Sequence, residues 1–313
     1  MKYGLFSGIF WALDTVLLGI ALSLVLPGDD FLNVLWLIPV AGAFLHDWFS
    51  ALWLLCLTVA KKRLKQLKDA LQTKHGLAVV IAALLGGPVG MTGYMLAIKY
   101  IGPGYTACIS AFYPAFGALL ARVVLKERLS LGQYMSFAVA LLGVMGIGYL
   151  SSSNSIVNDS LLGFISALVC VVGWGSEAVL GSYAMRHALI DNQIALQIRN
   201  GISSLIYALV VIPLLGISDL IIEGFTTNNY LFVSLCAGVG TLSYLFYYKA
   251  IDSIGPSRGM ALNISYAAWA LILSVFILHY VPSCLEWVCC GMILVGTIFS
   301  ANSWKSILKK QLF

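Results

Sequence analysis

Apolar residues fill this chain in ten long blocks, at about residues 4–26, 33–60, 77–99, 103–124, 130–150, 160–186, 192–215, 229–250, 256–279 and 284–303, separated by short polar connections. A helix needs about 20 such residues to cross a bilayer, and each block is long enough. Inside lipid every backbone N–H and C=O must find its partner within the protein, so the blocks are expected to be helices. The pattern therefore predicts an all-α integral membrane protein with ten transmembrane helices. The first block lacks a small-residue cleavage site and reads as a retained helix, not as a cleaved signal.

The blocks are not ten unrelated helices. Ile101-Gly102-Pro103 recurs as Ile254-Gly255-Pro256, and the same shift of 153 residues carries Tyr113 onto Tyr266 and Phe116 onto Trp269. Trp11 and Asp14 in the first block are echoed by Trp174 and Glu177 in the sixth. His46-Asp47 stands before Ser50 as Arg199-Asn200 stands before Ser203. Two five-helix repeats follow, residues 1–152 and 153–313, together making one transporter domain. An odd number of helices per repeat inserts the second half upside down, with Pro103 at an outer connection and Pro256 at an inner one. Inverted halves of this kind support alternating access around a site near the middle of the membrane.

Composition agrees: 60% of residues are hydrophobic, 10% are charged, and the mean hydropathy is +0.94. That much apolar surface excludes an ordinary soluble domain. Sixteen of the eighteen Lys and Arg lie at the N-terminus, in the connections after even-numbered blocks, or in the C-terminal tail. The run Lys61, Lys62, Arg63, Lys65, Lys68 and Lys74 dominates, while the opposite connections hold Lys99 with Asp29, Asp30, Asp159, Asp219 and Glu223. By the positive-inside rule both termini are expected in the cytoplasm. The net charge of +5 is thereby used for topology and does not imply nucleic-acid binding. The seven cysteines lie in apolar blocks without metal-type spacing and are expected as free thiols.

Charge inside the blocks is scarce. Asp14 and Glu177 should lie deep in the membrane, where a charge costs at least ~2.5–3.5 kcal/mol on insertion scales. Each follows a tryptophan by three residues, so acid and indole share one helix face. These acids are candidates for substrate binding and proton coupling; pairing with His46 or Arg199 for packing is the alternative. Asn263, Tyr266 and Trp269 form a stripe in the ninth block, Tyr244, Tyr247 and Tyr248 add to it from the eighth, and Tyr113 precedes Pro114 in the fourth. Asp47 and Arg199 are expected as a structural ion pair or gate element. Aromatic faces with a carboxylate suit a quaternary ammonium, which cannot donate strong hydrogen bonds; a desolvated cation–π contact is worth ~2 kcal/mol. Gly86-Gly87-Pro88 and Gly90 suggest close packing or a hinge. Four scattered histidines supply no metal cluster or catalytic constellation, so neither an enzyme, a metal nor a cofactor is expected.

The whole pattern resembles the drug/metabolite transporter superfamily in its EamA branch. A narrower set of motifs, Gly87-Pro88-Val89-Gly90-Met91, Ser110-Ala111-Phe112-Tyr113-Pro114, Gly173-Trp174-Gly175-Ser176-Glu177 and Leu262-Asn263-Ile264-Ser265-Tyr266-Ala267-Ala268-Trp269, is similar to bacterial LicB-type choline permeases. That resemblance implies choline uptake across a bacterial inner membrane, feeding phosphorylcholine decoration of surface glycans. It also implies an aromatic cage, to which Trp174, Glu177, Tyr266 and Trp269 correspond by position. An exporter of amino acids or amphipathic cations is the alternative within the wider superfamily.

Overall fold

The computed structural model describes residues 1–25, 37–150, 160–188, 190–225 and 229–301, and among these the regular structure is helical throughout. Asp29, Asp30 and Asp159 lie outside the described residues, as do the C-terminal lysines and the side chain of Glu223. The helices are α1 (Lys2–Val25), α2 (Leu37–Ala60), α3 (Leu64–Leu71), α4 (Lys74–Leu84), α5 (Gly90–Ser110), α6 (Tyr113–Val124), α7 (Leu131–Leu150), α8 (Ser160–Ala188), α9 (Asn192–Ile206), α10 (Ile212–Leu215), α11 (Ser218–Phe225), α12 (Asn229–Ile254), α13 (Pro256–Asn263), α14 (Tyr266–Ile277) and α15 (Cys284–Ala301). Wide π-helical turns, Leu85–Val89 and Tyr207–Val211, join α4 to α5 and α9 to α10. Among the described residues nine helical stretches are long and apolar enough to cross a membrane, and α1 adds a further helix of 24 residues. The protein is a multi-pass membrane protein. Over their described residues the apolar blocks are helical, several of them in more than one segment; the short α3 and α11 were not expected.

Two breaks recur at the repeat spacing. Gly102 (φ 78°, ψ 163°) and Gly255 (φ 89°, ψ 157°) adopt the same backbone geometry 153 residues apart. A side chain there would clash with its own backbone, so only glycine reaches it without strain. Pro256 then opens α13 with its φ already helical and no N–H to leave unpaired. A second pair of breaks separates α5 from α6 and α13 from α14, the latter helix of each pair starting at Tyr113 and Tyr266. A third pair ends those helices at left-handed Lys126 and His279 (φ 56° and 54°). Leu125 and Glu127 both donate backbone N–H to the Ala121 carbonyl, as Leu278 and Tyr280 do to Ser274.

Packing crosses the midpoint of the chain. Helix α1 packs on α12, α13 and α14, whereas α8 packs on α4, α5 and α6; α7 lies along α15. Small residues make these contacts tight: a Cβ on Gly296 would press on Ser136 and Ala140 of α7. The outer surfaces are apolar, with Val123, Leu161 and Leu214 between 70% and 80% exposed, as a lipid-facing belt requires.

At one end of the bundle the basic connections meet. Arg63 pairs with Asp191 at 3.1 Å, Lys61 donates to Gln193 at 2.9 Å, and Arg186 pairs with Glu127 at 2.8 Å. The second Glu127 oxygen accepts from the Ser257 hydroxyl at 2.7 Å, at the start of α13. Burial raises the Asp191 carboxyl, but the Arg63 guanidinium and the Gln193 N–H outweigh it and hold the group below the usual carboxylate range. Lys249, near the end of α12, lies over the Tyr3 ring at 4.6 Å, which brings the start of α1 to this same end. The seven cysteines are free thiols.

Candidate functional site

A cavity of about 330 Å³ is walled by α1, α2, α5, α6, α8, α9, α12, α13 and α14. The turn Leu85–Val89 shapes one side. Pro88 lacks the N–H that a regular turn would use, and the chain widens around it. Gly86 and Gly87 then bring backbone against side chains from other helices: a Cβ on Gly86 would overlap the Glu177 carboxylate, and one on Gly87 would overlap the Ser203 hydroxyl. On the opposite side Gly240 of α12 sits against His46 and Asp14 in the same way.

Five ionisable side chains cross the cavity wall. Asp14 accepts or shares a hydrogen bond with His46 Nε2 at 3.0 Å, and His46 Nδ1 is 3.9 Å from Asp47. Arg199 is 2% exposed and forks between two acids, donating from Nη1 to Asp47 Oδ1 and from Nε to Glu177 Oε1, each at 2.8 Å. Ser203 donates to the other Asp47 oxygen at 2.6 Å, and Tyr248 donates to Glu177 at 3.2 Å. The planar guanidinium suits this double task, since its donors are fixed in a fork. The cavity wall thus carries three carboxyl groups against one arginine and one histidine. Asp14 Oδ1 is buried with no hydrogen-bond partner among the described residues.

Aromatic rings supply the rest of the wall. Trp11 stands edge-on to Tyr244 at 5.0 Å and to Tyr266 at 6.2 Å between centroids. Trp174 stands at 89° to Tyr113 at 5.6 Å and lies against Tyr94 at 5.2 Å. Tyr247 completes a set of seven. Asn263 is held at both ends of its amide: Oδ1 accepts from Ser7 at 2.6 Å and Nδ2 donates to the Tyr113 hydroxyl at 3.3 Å.

Trp11, Asp14, Tyr113, Trp174, Glu177, Tyr244, Tyr247, Asn263 and Tyr266 therefore all line the cavity, as do Asp47 and Arg199. Trp269 does not. It lies one turn into α14, half-buried, with its indole N–H buried and unpartnered among the described residues. Its spacing from Asn263 suggested one stripe, but the break at Ile264 and Ser265 separates the two helices that carry them. Tyr94 and Met91 were missed. Gly87, Met91, Tyr94 and Met95 fall at i, i+4, i+7 and i+8, so extending the helix face from Gly87 would have found them. His46 was read as a packing partner for an acid, and it also lines the cavity. No cluster of three or more His, Cys, Asp or Glu among the described residues could hold a metal.

Comparison with known proteins gives the same picture. The chain is 30% identical over 284 residues to Protein LicB of Haemophilus influenzae (strain ATCC 51907 / DSM 11121 / KW20 / Rd), covering 90% of this chain and 89% of that protein. A solved crystal structure shares the fold with a TM-score of 0.70 at 16% identity, over 99% of this chain and 97% of its own. The family model described as the EamA-like transporter family matches residues 1–149 and 161–302. A bundle of membrane helices around a buried, charged and aromatic cavity, matched along nearly its whole length in this way, belongs to the EamA-like transporter family.

Proposed function

We propose that this protein is a secondary transporter that carries choline, or a close quaternary ammonium relative, into a bacterial cell. The observation that carries the reading is one cavity in which seven aromatic residues surround an excess of carboxylate over base. A trimethylammonium group spreads its charge over methyl surfaces, so ring faces replace its hydration shell better than oriented acceptors do. Trp11, Trp174, Tyr244 and Tyr266 would cage the methyls, and Glu177 and Asp14 would balance the charge. The Tyr113 hydroxyl, positioned by Asn263, would meet the choline hydroxyl. The likeness to Protein LicB, over most of both chains, supports the same substrate class.

The movement follows from the repeat. Ten transmembrane helices form two inverted halves, residues 1–152 and 153–313, which rock about the cavity. The paired breaks at Gly102 and Gly255 support this arrangement, as does the separate match of residues 1–149 and 161–302 to the family model. The end where Arg63, Glu127 and Lys249 gather is the cytoplasmic one, by the positive-inside rule, and both termini lie there in the bacterial inner membrane. A membrane potential of about 100 mV, negative inside, favours cation entry by about 2.3 kcal/mol. Asp14 or Glu177 could carry a coupled proton as the site empties. Imported choline would serve decoration of surface glycans with phosphorylcholine.

The test is ligand-induced stabilisation of the purified protein by choline, tetramethylammonium, ethanolamine and a panel of amino acids. A ligand at 100 times its dissociation constant should add about 2.7 kcal/mol of stability. Choline and tetramethylammonium should raise the melting temperature, ethanolamine should not, and Glu177→Gln should abolish the choline effect. Stabilisation by amino acids alone would overturn the reading in favour of an exporter.

A further inference from the structure

The short helix α3 forms the connection between α2 and α4, and its faces are sorted by chemistry. Around the helix, at 3.6 residues per turn, the order runs Ala70, Leu67, Leu71, Leu64, Lys68, Lys65, Asp69 and Gln66. Ala70 is buried and Leu67 packs into the core, so this side rests on the protein. Leu71 and Leu64, next in order, are 46% and 48% exposed. Lys68 and Lys65 follow, and Asp69 beside Lys65 and then Gln66 complete the circle, all four exposed. A protein-facing side, an exposed apolar strip, a basic arc and a polar arc therefore succeed one another around a single helix. That is the order of phases met by a helix lying at a bilayer surface.

The charge on this connection is not consumed internally. Lys61 and Arg63 are tied to Gln193 and Asp191. The side chains of Lys62, Lys65, Lys68 and Lys74 have no ion pair or hydrogen-bond partner among the described residues. Asp69 is the only acid between residues 61 and 74. Lys62 is also held at φ 56°, where α2 ends with Lys62 and Arg63 donating backward to Val59 and Thr58. Glycine takes that left-handed end position without strain, and here a lysine occupies it instead.

We infer that α3 and the turn before it form a docking site for an anionic phospholipid, with acyl chain against Leu64 and Leu71 and headgroup phosphate against Lys62, Lys65 and Lys68. The lipid belongs to the leaflet at this end of the bundle, and a glycerophospholipid such as phosphatidylglycerol matches both chemistries at once. Charge complementarity selects the headgroup, and the two exposed leucines select a lipid over a free anion. The site stands apart from the cavity and does not depend on the identity of the transported ion.

Native mass spectrometry of the purified protein, titrated with phosphatidylglycerol or phosphatidylcholine of equal chain length, tests this directly. Wild type should retain phosphatidylglycerol in preference to phosphatidylcholine. K65Q/K68Q should weaken phosphatidylglycerol retention about thirtyfold, at roughly fivefold per lysine near the membrane surface, and leave phosphatidylcholine unchanged. L64S/L71S, with every charge intact, should weaken it as well. An unchanged melting temperature of both variants in phosphatidylcholine bilayers shows that the fold is kept. Equal retention of the two lipids, wild-type retention by K65Q/K68Q, or complete displacement by inorganic phosphate would each overturn the proposal.

Discussion

Arg199 is the side chain on which the interior turns. Its Nε and Nη1 hold Glu177 and Asp47 at 2.8 Å each, in a cavity that also contains Asp14 and His46. Removing one member of a buried charge network leaves the others unpaired and typically costs about 3–5 kcal/mol. Arg199→Ala should therefore lower the melting temperature sharply, and Arg199→Lys should recover only part of the loss, because a lysine ammonium cannot fork between two acids. Thermal unfolding in detergent measures both; full recovery by lysine would mean that charge alone matters. At this scale the sequence was readable where chemistry was unusual: Asp14, Glu177, Asp47 and Arg199 stand out because charge is rare in apolar blocks. Tyr94 was readable only by extending the helix face from Gly87, since one tyrosine in a greasy helix carries no mark of its own. Nor did the sequence reveal that Arg199 serves two acids, since the second partner depends on how α8 and α9 approach each other.

The helices are set by hydrophobic length and the breaks by particular residues. Block ends matched helix ends closely because bilayer-length apolar runs leave little freedom. What eluded the pattern was the interior of each span. The π-helical turn at Leu85–Val89 and the interruption at Ile264–Ser265 lie within uniformly apolar sequence, where periodicity carries no mark of a break. The latter interruption is why Trp269 was grouped with Asn263. Gly102 and Gly255 were legible as repeated motifs, though not as backbone outliers. Their geometry lies where only glycine is unstrained, so Gly102→Ala should cost about 1–3 kcal/mol. Gly255→Ala should also displace the Glu127 carboxylate from Ser257 and Arg186, against which its Cβ would press. Both variants should lower the melting temperature; an unchanged value for Gly255→Ala would mean that neither its backbone geometry nor the Glu127 contacts contribute.

Helices from the two ends of the chain interleave. Helix α1 packs with α12 to α14, and α8 packs with α4 to α6, so neither 1–152 nor 153–313 holds a complete set of contacts. Each piece alone should fail to give a stable, detergent-soluble protein. Co-expressed as two chains they should reassemble, restore ligand-induced stabilisation and co-purify; a first half that is stable alone would refute the interleaving. The same interleaving governs the order in which the protein can be made. Helix α1 ends at Val25 and α12 begins at Asn229, so roughly two hundred residues of synthesis separate them. At about 5–20 residues per second, α1 waits in the bilayer for some 10–40 s before its main neighbour leaves the ribosome. Through that interval His46 is the first partner to reach Asp14. A pair that shapes the finished cavity thus also shelters a carboxylate while the chain is still growing.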